Sequence, residues 1–360
     1  MLAYILIATA AADPFGFTKG TSPVVLDSRV GQSGWTSADE CVDCHADIAA
    51  QWQQSRHRVA WTNDLMQAGF VAEPQLFCVN CHAPAREQVA EVQSNLSAYA
   101  ALGPHAPPHV TAAPLKPEPK AEEGITCVVC HLRDGQMLTA GPGDPDGPHE
   151  LRVDPEFGTS AACTTCHDFP TPAFVDGVTH FTEEPMQATA SEWEDWKALT
   201  GRDEGCQTCH MPEGSHAMRG AHDLERVSGA VVVEQRAGQL VLSTKDVGHA
   251  VPTGDLFRHL TVEARPAEDQ PWTVLATLGR SFEVDTTTVP PLKRQIADTR
   301  LHPNAPQIVT IPKHFQGGSW RVQYHYGGPH DEVRALVSMD QLVRVVDHGA
   351  LSFPPSSVGH

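Results

Sequence analysis

Gly205-Cys206-Gln207-Thr208-Cys209-His210-Met211 contains one of five copies of a single unit, Cys-x-x-Cys-His. The others are Cys41-Val42-Asp43-Cys44-His45, Cys78-Val79-Asn80-Cys81-His82, Cys127-Val128-Val129-Cys130-His131 and Cys163-Thr164-Thr165-Cys166-His167. The five copies use all ten cysteines. A zinc ribbon takes such pairs two at a time, and five is odd. Neither a zinc site nor a redox dithiol needs histidine directly after the second cysteine. The unit is the attachment signature of c-type haem. Two thioether bonds fix the porphyrin edge, and the adjoining histidine reaches the iron from one face. The ten cysteines are therefore expected to hold five covalently attached haem c groups. His45, His82, His131, His167 and His210 are the expected proximal ligands.

The composition fits a cofactor-filled interior. The chain has 360 residues, 28 glycines, 29 prolines and only 6% aromatic residues. That is little core material for the length, and five macrocycles would supply the missing apolar volume. Without them the chain is expected to fold poorly, because the cofactor is its core. The formal net charge is −19, and no basic run occurs anywhere. Nucleic acid is thereby excluded as a partner. The charge permits a basic redox partner protein, and it also keeps the chain soluble.

Residues 2–12 (LAYILIATAAA) form the one continuous apolar run. It is too short to span a bilayer. It reads as the hydrophobic part and small-residue cleavage site of a signal segment over residues 1–12, truncated at its basic start, with the cut near Ala12-Asp13. A periplasmic or extracellular location follows. No later stretch reads as a membrane span. Association with a membrane surface or with other cytochromes remains compatible.

Ser37 and Glu40 fit a capping box, so a helix is expected to carry the first motif and run toward His57. His57 lies twelve residues past His45. Along a helix that is roughly 18 Å, whereas two nitrogens on one iron lie about 4 Å apart. His57 therefore cannot close the iron that His45 holds; as a ligand it serves a neighbouring haem. Residues 103–119 are Pro-rich, include His105 and His109, and read as an extended loop. Asp144 and Asp146, in the turn cluster before His149, offer too few oxygens at a defined spacing for calcium. Thr189 to Leu199 reads as a helix with Trp193 and Trp196 on one side. His216 and His222 follow the fifth motif. Met211 adjoins His210 and cannot reach the opposite face of the same haem.

From residue 229 on, the haem motifs stop. Val231–Val233 and Leu240–Leu242 flank Arg236-Ala237-Gly238 as a hairpin. Strands are expected at 256–263, 272–278, 307–311 and 320–326, and a short helix and strand within 331–347. The fold class is multidomain α + β. A loop-rich, mainly α, haem-packed domain of five c-type haems (36–228) precedes a small antiparallel β-sandwich (229–350).

The pattern resembles the multihaem cytochromes of the cytochrome c-554 and hydroxylamine-oxidoreductase-like group. The matching words are Trp52-x-x-Ser55-x-His57, Gly124-Ile125-Thr126-Cys127, Cys206-Gln207-Thr208-Cys209-His210-Met211-Pro212 with Ser215-His216 and His222-Asp223 behind it, and Gly248-His249-Ala250-Val251-Pro252-Thr253-Gly254-Asp255. In that group the histidine after Trp-x-x-Ser and those behind the last motif serve as distal ligands. The resemblance implies the same for His57 and for His216 or His222. Ranked by position, the distal candidates are His57, His249, His222, His149 and His216, then His109 and His105. Bis-histidine ligation throughout would make the chain an electron carrier that moves electrons between redox partner proteins. One open iron would instead make it an oxidoreductase of a small nitrogen or sulfur compound. No motif carries lysine as proximal ligand, and no tyrosine is placed for a ring crosslink, so the carrier reading leads and no catalytic residue is assigned. A polymeric conductive filament is the second alternative.

Overall fold

The computed structural model describes residues 35–72, 76–101, 116–144, 146–175, 178–287, 292–327 and 337–352. The apolar run at 2–12, together with His105, His109, His330 and His360, lies outside them.

Helix α1 (Asp39–Gln53) carries the first motif and ends four residues short of His57. Its N-cap is Ala38, which makes no side-chain cap, so the box expected of Ser37 and Glu40 does not form. Ser37 Oγ instead donates to Glu123 Oε1 at 2.6 Å, and the Ala38 N–H donates to Glu123 Oε2 at 3.0 Å. Glu123 also accepts from Thr126 Oγ1 at 2.8 Å. A distant carboxylate thus replaces the local one, and it joins the first motif to the lead-in of the third.

Next come α2 (Asp64–Ala72), α3 (Leu76–His82), α4 (Arg86–Ala101), α5 (Pro119–Glu122) and α6 (Cys127–His131). Then follow β1 (Leu132–Arg133), β2 (Gln136–Thr139), β3 (Leu151–Val153) and α7 (Ala161–His167). The hairpin β4 (Asp168–Val175) and β5 (Val178–Ala188) leads into α8 (Thr189–Thr200), α9 (Cys206–His210) and α10 (Leu224–Ala230). Helices α3, α6, α7 and α9 all end on a motif histidine. In α1 the backbone leaves helical geometry at His45 (φ −119°, ψ 39°). One helical turn puts the two cysteines, three residues apart, on one face. The break at the histidine then turns the chain away. The protein core of this half is small. Trp61, Phe70, Val79, Ala83, Val89, Val92 and Ala121 form one cluster, and Ala85, Val128 and Val129 another.

The second half is built of strands β6 (Val231–Arg236), β7 (Gln239–Thr244), β8 (His259–Arg265), β9 (Thr273–Asp285), β10 (Leu292–Asp298), β11 (Gln307–Thr310), β12 (Ser319–His325) and β13 (Val343–Ala350). The short α11 (Met339–Leu342) precedes β13. One sheet has the order β10-β9-β8-β12-β13, the other β11-β7-β6. Leu240 and Leu242 from the smaller sheet pack in one core with Leu260, Val262, Leu278, Trp320, Val322, Tyr324 and Val346 from the larger. Along β12 the inward residues are Trp320, Val322 and Tyr324, the two-residue period of a strand with one face in the core.

Two differences from expectation have local causes. The strand expected from Leu256 begins at His259, because Asp255 Oδ1 accepts from the Phe257 N–H at 2.9 Å and closes a turn there. The hairpin β4–β5 and strand β10 were not foreseen. Prolines interrupt the alternation of β4 and β5, whose register shifts at Pro170 and Pro172. That hairpin joins the two halves: Arg280 donates to the carbonyls of Met186 (3.0 Å) and Pro185, and the Gln295 N–H donates to Glu184 Oε2 at 3.1 Å.

Candidate haem-binding site

The fold brings four motif histidines opposite four other histidines. His45 faces His149 with ring centroids 6.4 Å apart, and His57 faces His167 at 6.3 Å. His131 faces His216 at 6.1 Å, and His210 faces His249 at 6.2 Å. An iron between two imidazoles needs about 2 Å per bond and roughly 1 Å more from each nitrogen to its ring centre, so centroids about 6 Å apart. Rings in direct contact lie closer, as His259 and His325 do at 4.3 Å. The four pairs therefore fit a shared iron and are too wide for plain stacking.

Hydrogen bonding fits the same group. The Nδ1–H of His82 donates to Ala60 O (2.8 Å), that of His131 to Leu138 O (3.1 Å) and that of His210 to Arg219 O (2.8 Å). On the opposing side, His216 donates to Gly214 O (2.8 Å) and His249 to Ala250 O (3.0 Å). A carbonyl only accepts, so Nδ1 carries the proton and Nε2 is left as the ligating atom. Burial, and then neighbouring histidines, push both His57 and His167 down to about 4. Both are therefore neutral at ordinary pH, the form that binds iron.

The motifs also abut one another. The thiols of Cys41 and Cys127 lie beside each other, as do those of Cys81 and Cys166 and of Cys163 and Cys206. Cys130 lies within the field of Cys166. The first motif thus touches the third, the third neighbours the fourth, and the fourth touches both the second and the fifth.

Two devices position the opposing histidines. Trp52 Nε1 donates to Ile125 O at 2.8 Å, and the Ile125 N–H donates to His57 O at 2.9 Å. Gly124 makes this turn possible at φ +62°, and a Cβ there would lie 2.5 Å from His57 O. Gly124→Ala is expected to cost about 2 kcal/mol, from left-handed backbone strain plus overlap with a carbonyl. It should lower the urea midpoint and raise the high-spin iron fraction as His57 shifts; an unchanged midpoint would remove Gly124 from this role. The second device is Glu192 on α8. Its Oε2 accepts from the Ala250 N–H (3.1 Å) and Thr253 Oγ1 (2.8 Å), which fixes the loop that carries His249.

The remaining candidates fall elsewhere. His222 packs on Tyr326 at 4.4 Å and faces no motif histidine. Among the described residues, no histidine ring faces His82. Asp255 and Arg258 are close enough to act on its charge, and His82 in turn acts on His57 and His167. Arg258 lies beside Tyr324, which is 1% exposed, and its Nη1 donates to Thr253 O at 3.2 Å. Burial pushes the Tyr324 phenol up, so its hydroxyl stays protonated. Sequence reasoning missed Arg258, Tyr324 and Glu192. Arg258 stands three residues past the quoted Gly248–Asp255 word, and that proximity was the available signal.

Comparison with known proteins finds likeness in part of the sequence and in the fold. A family model described as cytochrome c554 and c-prime matches residues 40–101. No curated protein matches the chain. The crystal structure of a penta-heme cytochrome c552 from Thermochromatium tepidum is similar, with a TM-score of 0.61 and 20% sequence identity over 88% of this chain and 99% of that one. The chain thus resembles the multihaem c-type cytochromes in fold, and its motifs are those of covalent haem attachment.

Proposed function

We propose that this chain binds five haem c groups and conducts electrons through them between redox partner proteins. The carrying observation is the set of four histidine pairs with centroids 6.1–6.4 Å apart, each joining a motif histidine to a residue from another part of the chain. Haem supplies a one-electron iron couple, and bis-histidine ligation keeps its potential low. The protein's part is to hold the rings, fix Nε2 as the ligating atom and keep adjacent attachment sites in contact. The contacts run from the first motif through the third to the fourth, and branch there to the second and fifth. Among the described residues no helix is long and apolar enough to cross a membrane. Covalent haem attachment and the run at 2–12 support a periplasmic or extracellular place.

Among the described residues no histidine ring faces His82, and that sets one site apart. It supports a second reading, in which one five-coordinate iron takes a small nitrogen or sulfur compound. A filament would also leave one iron for a histidine of the next copy to complete. Spin-counted electron paramagnetic resonance of the haem-loaded protein, diluted and concentrated, tests all three. Mass spectrometry should first show five haems. We expect four fifths of the iron low-spin and one fifth high-spin, independent of concentration. A wholly low-spin dilute protein would overturn the open site and leave a simple carrier; a high-spin fraction that vanishes with concentration would favour the filament.

A further inference from the structure

The attachment site of the first motif lies at the surface. Cys44, His45 and His149 are all exposed. In each of the other three histidine pairs at least one member is partly buried. The thiol neighbours also put this motif at one end. Cys41 lies beside Cys127 of the third motif, and the remaining motifs lie beyond that one.

Helix α1 turns Ala49 and Trp52 inward and presents its other side outward. Asp39, Glu40, Asp43, Asp47 and Ile48 are exposed there, Ile48 at 41%. Glu150, next to His149 in the chain, is exposed too. Residues 36–55 and 141–151 contain no lysine or arginine. Among the described residues, none of these five carboxylates makes an ion pair within 4.0 Å. Asp39 and Glu40 suit the positive end of a helix. Asp43 and Asp47 do not, and Asp39, Asp43 and Asp47 follow at four-residue intervals, where like charges destabilise a helix. The fifth motif also has an exposed cysteine, Cys209, but its surroundings differ. Arg202 pairs there with Glu204, and Arg219 with Asp223 and Glu225. The first motif alone joins an exposed ring pair to a helix face of unpaired carboxylates.

We propose that the outward face of α1 is the docking surface for a small redox protein with a lysine-rich rim around its own redox centre, and that electrons cross between the two molecules at the first motif. This rests on the carrier reading above. The carboxylates attract such a rim through the solvent and turn acidic proteins away. Ile48 adds an apolar contact.

The probe is an oxidised, lysine-rich monohaem cytochrome c, with hexacyanoferrate(III) as the anionic control. Reduced, haem-loaded protein gives one electron to either oxidant, and stopped-flow absorbance follows the loss of its ferrous bands at several salt concentrations. The triple variant Glu40→Gln, Asp43→Asn, Asp47→Asn is expected to slow the cytochrome reaction about tenfold at low salt and to flatten its salt dependence. The hexacyanoferrate(III) reaction should be no slower. Asp203→Asn with Glu213→Gln removes two exposed carboxylates flanking the fifth motif and should leave the cytochrome rate within about twofold. Haem content by mass spectrometry shows that each variant is intact. Carbodiimide cross-linking gives the position without a rate: lysines of the probe are expected on Asp39, Glu40, Asp43, Asp47 or Glu150. If the haem-loaded protein reduces neither oxidant, the carrier reading fails first. Equal cytochrome rates for the triple variant and wild type, or cross-links that fall elsewhere, overturn the docking face and leave the carrier standing. Cross-links to these carboxylates only from Lys19 of the same chain would show the face covered from within, and overturn it as well.

Discussion

A chain that cannot attach haem, with all ten motif cysteines replaced by serine, is expected to lose amide protection across residues 35–228 and keep it across 229–352. Exchange followed by mass spectrometry would resolve the two halves. The haem half cannot stand on its own elements. Its motif helices α3, α6, α7 and α9 span seven, five, seven and five residues. Helices below about 12 residues are marginal in water without tertiary packing. Its apolar clusters hold seven and three buried residues. The β half offers one core of nineteen buried residues, shared by two sheets, with unbroken ladders between β8 and β12 in one and along β6, β7 and β11 in the other. Native-like protection in both halves would show that the haem half has a protein core of its own, and the cofactor-as-core account would fall.

The parts of this fold legible in sequence were those that carry chemistry or strict period. Five Cys-x-x-Cys-His units marked where the haem attachment motifs lie. The strand expected at 320–326 is β12, and the structure turns Trp320, Val322 and Tyr324 along it inward. His57 could be separated from His45 by distance alone, and it does lie opposite another motif's histidine, His167. Three things were not legible. Glu123 replacing the local cap of α1 depends on residues 85 positions apart. The hairpin β4–β5 is masked by its prolines, and its role appears only where Arg280 meets the Pro185 and Met186 carbonyls. His222 carried the right spacing behind the fifth motif, yet it stacks on Tyr326, whose hydroxyl donates to Ala221 O at 2.7 Å. That ring contact spans more than a hundred residues, and no local pattern encodes it.

Arg300→Met is expected to destabilise the β half by about 3–5 kcal/mol, the cost of leaving buried carboxylates without their cation. Arg300 is 6% exposed. Its Nη2 meets Asp298 Oδ2 at 2.6 Å, its Nε meets Asp298 Oδ1 at 2.9 Å and its Nη1 meets Glu192 Oε1 at 2.7 Å. Nη1 also donates to Pro252 O at 3.2 Å. Glu192 in turn holds the Ala250 N–H and Thr253 Oγ1, and Leu301 pairs with Val251 in both directions at 2.8 and 3.0 Å. One guanidinium therefore locks α8 of the haem half to the loop that presents His249 to His210. Methionine keeps the apolar stem and removes the charge, so Glu192 and Asp298 are left to repel each other. Two readouts should move together: a lower urea midpoint for the β half, and high-spin iron rising toward two fifths as His249 withdraws. Acid should mimic the variant. Burial alone would raise the Asp298 carboxyl, but hydrogen bonds from His302 and Arg300, and the Arg300 charge, hold it well below the usual carboxylate range. Its contribution is thus present above the unfolded value of about 4 and drains as pH falls toward the depressed one. Arg300→Met should flatten that acid limb. A variant with the wild-type midpoint and acid limb would show that the loop holds His249 without this ion-pair cluster.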